Sequence, residues 1–543
     1  MRKMKKLVGL MLAAMMIFSM SATVFAATVT VDTKLEGHTF DAYQIFTGTE
    51  TENDKQLVDV DWGTGINKDA FLAALKAETS FGDLFKDCED AADVAEALDH
   101  LDGTSVEAKK LAELAYTHKS NTKTSITGTE TLASGYYLIV DTTNLEGQDA
   151  ANNAALLQVT DSINITYKTD KPSVEKKVLE DDKYETDGGY GQGYNDVADY
   201  CINEVVTFHL IGRVPDMSEY ETYKYWFVDE MDPVLTLDTN SIKVYLSTDK
   251  KVDDADTVID KSYYTDDTTE AGFDVYFKDL KTVPGIAKDF YVIVEYKALL
   301  SDDAEPGLNG YINEVYLKYS NNPDQSGAGQ PGDDGQPDDD EEQGGLGQTE
   351  KDFVIVFTYE LDVTKVDGKD DTKKLDGAEF VLYRGEGENK EYVQIDANHK
   401  VTGWTTDEEQ ASTLVTDANG IFKVIGLDDG TYYLKETKAP ANYNLLTEDI
   451  KLEIKATTSN GQNWVEKDPA DALTALELDV TVNGETTEAE GDTDTGIVAT
   501  NVENNVGATL PETGGIGTML FYIVGSVLVL GAAVILITRK RMN

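Results

Sequence analysis

Leu361-Asp362-Val363-Thr364-Lys365-Val366-Asp367 alternates apolar and polar side chains, the period of a strand with one buried face. Lys365 therefore shares a face with Leu361 and Val363. In Tyr432-Tyr433-Leu434-Lys435-Glu436 the same period puts Glu436 on the face of Tyr432 and Leu434. In Val502-Glu503-Asn504 it puts Asn504 on the face of Val502, with Asn501 as the alternative amide. If these apolar faces form a core, an amine, a carboxyl and a carboxamide all point inward. Each is costly to bury alone, so the three must meet.

Working outward, residues 351–507 read as one strand-rich unit with strands at Phe353 to Val363, Glu379 to Tyr383, Gly420 to Val424 and Thr431 to Glu436. Ahead of it, residues 324–350 are Gly, Asp, Gln, Glu and Pro with almost no apolar content, which predicts a disordered acidic linker. Residues 171–323 form a second strand-rich unit, including Val205 to Ile211, Phe290 to Tyr296 and Val315 to Tyr319. Residues 27–167 form a first, mixed unit. Thr39 to Phe46 and Gly135 to Val140 read as strands, with helices expected from a cap at Asn67 through Ala77 and after Ser105. The fold class expected is mostly β, a tandem of immunoglobulin-like β-sandwiches, the first with a helical insertion. Leu132-x-x-Gly135-Tyr136-Tyr137-Leu138 echoes Leu427-x-x-Gly430-Thr431-Tyr432-Tyr433-Leu434, so related sandwiches recur.

The ends address the chain. Arg2, Lys3, Lys5 and Lys6 precede an apolar stretch from Leu7 to about Met20 and then Val24-Phe25-Ala26, which reads as a signal peptide over residues 1–26. At the other end, residues 508–543 hold Leu510-Pro511-Glu512-Thr513-Gly514 and an apolar run from Met519 to Thr538, closed by Arg539-Lys540-Arg541. That run of roughly twenty residues is long enough for one transmembrane helix with its basic end inside. Length 543 fits about three or four domains. A formal net charge of −55 would repel phosphate backbones and excludes nucleic-acid binding. The two cysteines, Cys88 and Cys201, fall in different units, so no disulfide framework is expected in this exported chain. The five histidines lack metal spacing, no acidic run has the form of a calcium loop, and no nucleophile motif stands out. Neither cofactor, metal nor enzymatic activity is expected.

The pentapeptide, span and basic tail, in that order, resemble the cell-wall sorting signal of Gram-positive surface proteins. The resemblance implies that a sortase cuts between Thr513 and Gly514 and joins the new carboxyl to an amine, after only transient residence in the membrane. Lys365, Glu436-Thr437-Lys438-Ala439-Pro440 and Asn504 look like the Cna B-type, prealbumin-like domain of pilins and adhesins. Residues 171–323 resemble the isopeptide-forming fimbrial domain of the same proteins. Here the resemblance rests on Lys171 to Val178, Phe227-Val228-Asp229 and Asn313 to Pro323. It implies two intramolecular Lys–Asn amides, each promoted by an acid: Lys176 to Asn313 with Asp229, and Lys365 to Asn504 with Glu436. Glu230 competes with Asp229 for the acid's role. Each bond would close a loop of roughly 140 residues and stabilise through the unfolded chain. In the first unit, alignment on the aromatic echo puts Val140 where Glu436 stands and Asp141 on the opposite face, so no such bond is expected there.

Shaft pilins carry an acceptor lysine between their first two domains, usually in Tyr-Pro-Lys-Asn. This chain has Tyr167-Lys168-Thr169-Asp170-Lys171-Pro172, with Thr169 in the lysine's place, so Lys168 and Lys171 are the candidates. Two readings follow. One is a polymerised pilin partnered by sortase and further pilin subunits or the peptidoglycan precursor. The other is a wall-anchored adhesin or ancillary pilin binding a host ligand.

Overall fold

The computed structural model describes residues 26–506 apart from 32–37, 52–55, 99–100, 102–105, 144–153, 160–162, 166–169, 182–187, 219, 221, 270, 322–345, 460–461, 463 and 465–467. The signal peptide before Ala26, the sorting pentapeptide 510–514, the expected membrane span, Lys168 and most of the acidic linker lie outside the described residues.

The described chain is mostly strand, arranged as three successive two-sheet units. In the first, a sheet of Leu57–Trp62, Phe40–Glu50, Gly135–Asp141 and Ala154–Val159 faces a smaller one of Thr129–Ala133, Ala26–Val31 and Ile163–Ile165. Helices Lys68–Ala77, Ala91–Leu98 and Val106–Thr117 form the insertion between strands. Asn67 stands at the N-terminus of the first helix, yet its side chain gives no capping bond. Its amide donates instead to the Lys119 carbonyl at 3.0 Å.

Gly135–Asp141 is buried on both faces. Tyr136, Leu138 and Val140 pack toward the helices, and Tyr137 and Ile139 pack into the sandwich. Asp141 lies on the face of Tyr137 and Ile139, opposite Val140, as the alignment expects. It is buried, and the His38 ring nitrogen Nδ1 lies 2.7 Å from its carboxylate.

The second unit stacks the sheet Tyr194–Asn195, Ser173–Leu179, Val205–Arg213, Tyr291–Leu300, Leu235–Ser247 and Thr257–Val258 on a second sheet. That second sheet runs Val197–Asp199, Asp352–Phe357, Tyr311–Tyr319, Tyr225–Met231, Gly272–Phe277 and Thr265–Thr268. Asp352–Phe357 corrects the expected boundary at residue 351. The apolar run expected as one strand from Phe353 to Val363 breaks at Thr358, and only Tyr359–Asp367 belongs to the third unit. Val354 and Val356 sit in the core of the second unit, while Ile355 and Phe357 sit in that of the third. A strand shared by two cores is apolar on both faces and carries no mark of the border.

The expected linker also ends early. Gly347–Gln348 pairs with Lys318 and Tyr319, and buried Thr349 exchanges bonds with Leu317 through its backbone and hydroxyl at 2.9 and 3.0 Å. Backbone pairing orders these residues, and composition does not register it.

In the third unit Tyr359–Asp367 lies between Ile421–Leu427, antiparallel, and Ile497–Asn504, parallel, and its last residues Val366 and Asp367 pair with Asp370–Lys374. An opposing eight-stranded sheet closes the core, running from Val401–Thr405 through Glu379–Arg384 and Gly430–Lys438 to Glu485–Glu490, with Leu414–Val415 paired to Glu379–Arg384. The second and third units also touch through Asn203 on the Val401 carbonyl at 2.8 Å and through Arg384 with Glu204 at 2.9 Å.

Candidate functional site

Ser173–Leu179 places Lys176 in the second unit's interior, between the two sheets. Lys176, Asp229 and Asn313 are 0%, 1% and 0% exposed. The Lys176 amine touches the Asp229 carboxyl, lies 2.5 Å from Asn313 Oδ1, and reaches the Glu314 carbonyl at 3.0 Å. Tyr225–Met231 and Tyr311–Tyr319 are neighbours in the facing sheet, which brings Asp229 beside the amide. A fourth group completes the cluster. The Tyr296 hydroxyl donates to Asp229 Oδ2 at 3.0 Å and accepts from Asn313 Nδ2 at 2.7 Å. Sequence reasoning missed Tyr296, because a tyrosine in an apolar strand reads as packing.

Burial dominates the electrostatics. It lowers the Lys176 amine to about 8 against the pull of Asp229. It raises the Asp229 carboxyl to about 6, although Lys176 acts in the opposite direction. Burial thus narrows the gap between amine and carboxyl and lowers the cost of passing the proton from one to the other.

The third unit repeats the arrangement. Lys365, Glu436 and Asn504 are 0%, 5% and 1% exposed. The Lys365 amine donates to Asn504 Oδ1 at 2.7 Å and to the Val502 carbonyl at 3.0 Å. Asn504 Nδ2 donates to both Glu436 oxygens, at 2.9 and 3.2 Å, and Glu436 Oε1 is 3.8 Å from the amine. The Leu446 amide fixes Glu436 Oε2 at 2.8 Å. Burial again lowers the amine to about 8, with Glu436 opposing. Both clusters join strands far apart in sequence, across 137 and 139 residues.

Both alternatives fall away from the clusters. Glu230 is partly exposed and paired with Lys351 at 2.5 Å, and Asn501 faces solvent. Glu230→Gln and Asn501→Ala should each shift stability by no more than about 0.5 kcal/mol in chemical denaturation. A larger loss would reassign the clusters.

Lys171 is half-buried, and its carbonyl accepts from Arg213 at 2.6 Å beside the Arg213–Asp170 ion pair. Cys88 and Cys201 are both free and buried. Among the described residues, three buried carboxyls from distant segments, Asp199, Asp428 and Asp429, converge closely enough to hold a cation. Burial, then Asp199, pushes Asp428 well above the usual carboxylate range.

Comparison with known proteins agrees with this layout. Residues 359–468 match a prealbumin-like fold domain, and residues 502–543 match an LPXTG cell wall anchor motif. The first match begins at the strand that the structure assigns to the third unit. A curated relative, the trypsin-resistant surface T6 protein of Streptococcus pyogenes serotype M6, is 26% identical over 389 residues. The match covers 63% of this chain and 65% of that protein's length. The solved T6 backbone pilin of the same serotype, described as having a modular three-domain structure, superposes with TM-score 0.50 at 17% identity. It covers 90% of this chain and 100% of its own. The full-length major pilin SpaD from Corynebacterium diphtheriae gives TM-score 0.44 at 16% identity, over 89% and 98%. The anchor motif places the chain on the cell wall's outer surface, and its tandem β-sandwiches share the fold of the solved T6 backbone pilin.

Proposed function

We propose that this wall-anchored chain is a structural pilus subunit, covalently polymerised by sortase through Thr513 and cross-linked within itself by two Lys–Asn amides. The observation that carries the reading is the pair of complete, buried amine–amide–carboxyl clusters, one in each of two successive sandwiches.

The chemistry follows from burial. A desolvated lysine is a neutral nucleophile, and packing holds it against the amide at high effective molarity. Lys365 Nζ bonds to Asn504 Cγ, the Cγ–Nδ2 bond breaks, and ammonia leaves. The acid that touches Nδ2, Glu436, supplies the leaving group's proton and recovers one from the amine. Lys176 and Asn313 form the same bond, with Asp229 as their acid. Folding is the only catalyst needed, so the protein acts as a structural element rather than an enzyme.

The amine's lowered pKa gives a test of sign. In an Asn313→Ala chain the amine remains, titrating near about 8 when folded and at roughly 10.4 when unfolded. Such a depressed amine adds stability above the unfolded value and loses it as pH falls through about 8. The wild-type lysine, as an amide, no longer titrates. The gap in unfolding free energy between wild type and Asn313→Ala should therefore be narrower at about pH 10.5 than at about pH 7. An unchanged gap would mean that no free amine is trapped in the variant.

Polymerisation is tested on cells. Wall extracts should show a high-mass ladder that disappears when Lys168 and Lys171 are both replaced by Ala. A single wall-linked species in the wild type would point instead to an adhesin or ancillary subunit.

A further inference from the structure

The two clusters differ in one respect that the general chemistry leaves open. Glu436 touches the departing nitrogen of Asn504 directly. Asp229 is one methylene shorter, and Tyr296 stands between it and the departing nitrogen of Asn313. The hydroxyl is 3.0 Å from Asp229 Oδ2 and 2.7 Å from Asn313 Nδ2, and Tyr296 is 0% exposed. Its ring is fixed by stacking on Phe208 at 5.2 Å and by an edge contact with Phe273 at 4.6 Å. The hydroxyl alone connects acid and leaving group.

We propose that Tyr296 is a catalytic residue of the second unit's amide, relaying the proton from Asp229 to the ammonia that leaves Asn313. This rests on the covalent reading above. As the Lys176 Nζ–Asn313 Cγ bond forms, an amine proton passes to Asp229 Oδ2. The Tyr296 hydroxyl gives its proton to Nδ2, the Cγ–Nδ2 bond breaks, and the hydroxyl is refilled from Oδ2. One amide replaces another, ammonia leaves, and Asp229 and Tyr296 end as they began. The third unit needs no such residue, because its longer acid reaches the nitrogen itself.

The experiment follows bond formation by intact mass in ectodomain recovered unfolded from inclusion bodies and folded for the first time, each bond removing about 17 Da as ammonia, with peptide mapping to assign the unit. In Tyr296→Phe the Lys365–Asn504 bond should form at the wild-type rate. The Lys176–Asn313 bond should slow by about 10²-fold, the lower range for a positioned proton-transfer group. Adding Asp229→Glu should recover part of the rate, since the longer acid spans the gap. Equal rates in Tyr296→Phe and wild type would overturn the relay. If wild type forms neither bond, the covalent reading falls and the relay with it. Should Tyr296→Phe fail to fold, Tyr296→3-fluorotyrosine keeps the shape and makes the hydroxyl more acidic. The pH–rate profile of the second unit alone should then move to lower pH, and an unmoved profile would overturn the relay.

Discussion

Glu436→Gln is expected to leave the third unit folded, to restore the about 17 Da of mass lost as ammonia, and to lower its melting temperature by about 10–20 °C. The substitution keeps the shape of the side chain, and an amide oxygen can still accept from the Leu446 backbone, which holds Glu436 Oε2 at 2.8 Å. What it removes is the proton that Asn504 needs to lose ammonia. Without the bond, the unfolded chain regains the freedom of a 139-residue loop. In the chain-entropy account of cross-links that freedom is worth about 5 kcal/mol, an upper figure if the denatured chain keeps residual contacts. For a domain of this size each kcal/mol moves the midpoint by about 2–4 °C. Calorimetry and mass spectrometry on one sample separate the steps. A variant that keeps its mass deficit would show the acid to be dispensable. A variant that regains the mass and melts with the wild type would show the bond to be present but not stabilising.

Much of this site was legible before any coordinates. Lys365, Glu436 and Asn504 each interrupt an apolar face at strand period, and a buried polar group has to be answered by another. The same rule favours Asp229 over Glu230, since adjacent residues of a strand face opposite ways. Tyr296 escaped because a tyrosine satisfies the apolar pattern with its ring, and the pattern does not register its hydroxyl. The border between the second and third units escaped for a related reason. Alternation reports one buried face, and Asp352–Phe357 has two, each belonging to a different core. Gly347–Gln348 and Thr349 join the sheet through backbone groups, which every residue carries, so composition assigned them to a linker. The convergence of Asp199 with Asp428 and Asp429 depends on how two sandwiches meet, which no local pattern contains.

If the two proposed bonds form, they decide which parts of the chain bear load under tension, as follows. A covalent route runs from the acceptor lysine to Lys176, across to Asn313, along the chain to Lys365, and across to Asn504 on its way to Thr513. The residues inside the 137- and 139-residue spans are bypassed, whatever the strength of their hydrogen bonds. Between Asn313 and Lys365 the load passes through Asp352–Phe357, which is bonded on both sides: antiparallel to Tyr311–Tyr319 and parallel to Val197–Asp199. Load along such a strand shears several hydrogen bonds together rather than opening them one at a time. Pulled from its ends on a single-molecule instrument, the wild-type ectodomain should show no lengthening from the third unit's interior. Glu436→Gln should add a step on the order of 450 Å, the extended length of the released loop at about 3.3 Å per residue. A wild-type trace that already contains this step would place the third unit's interior in the line of force and leave no room for the Lys365–Asn504 bond.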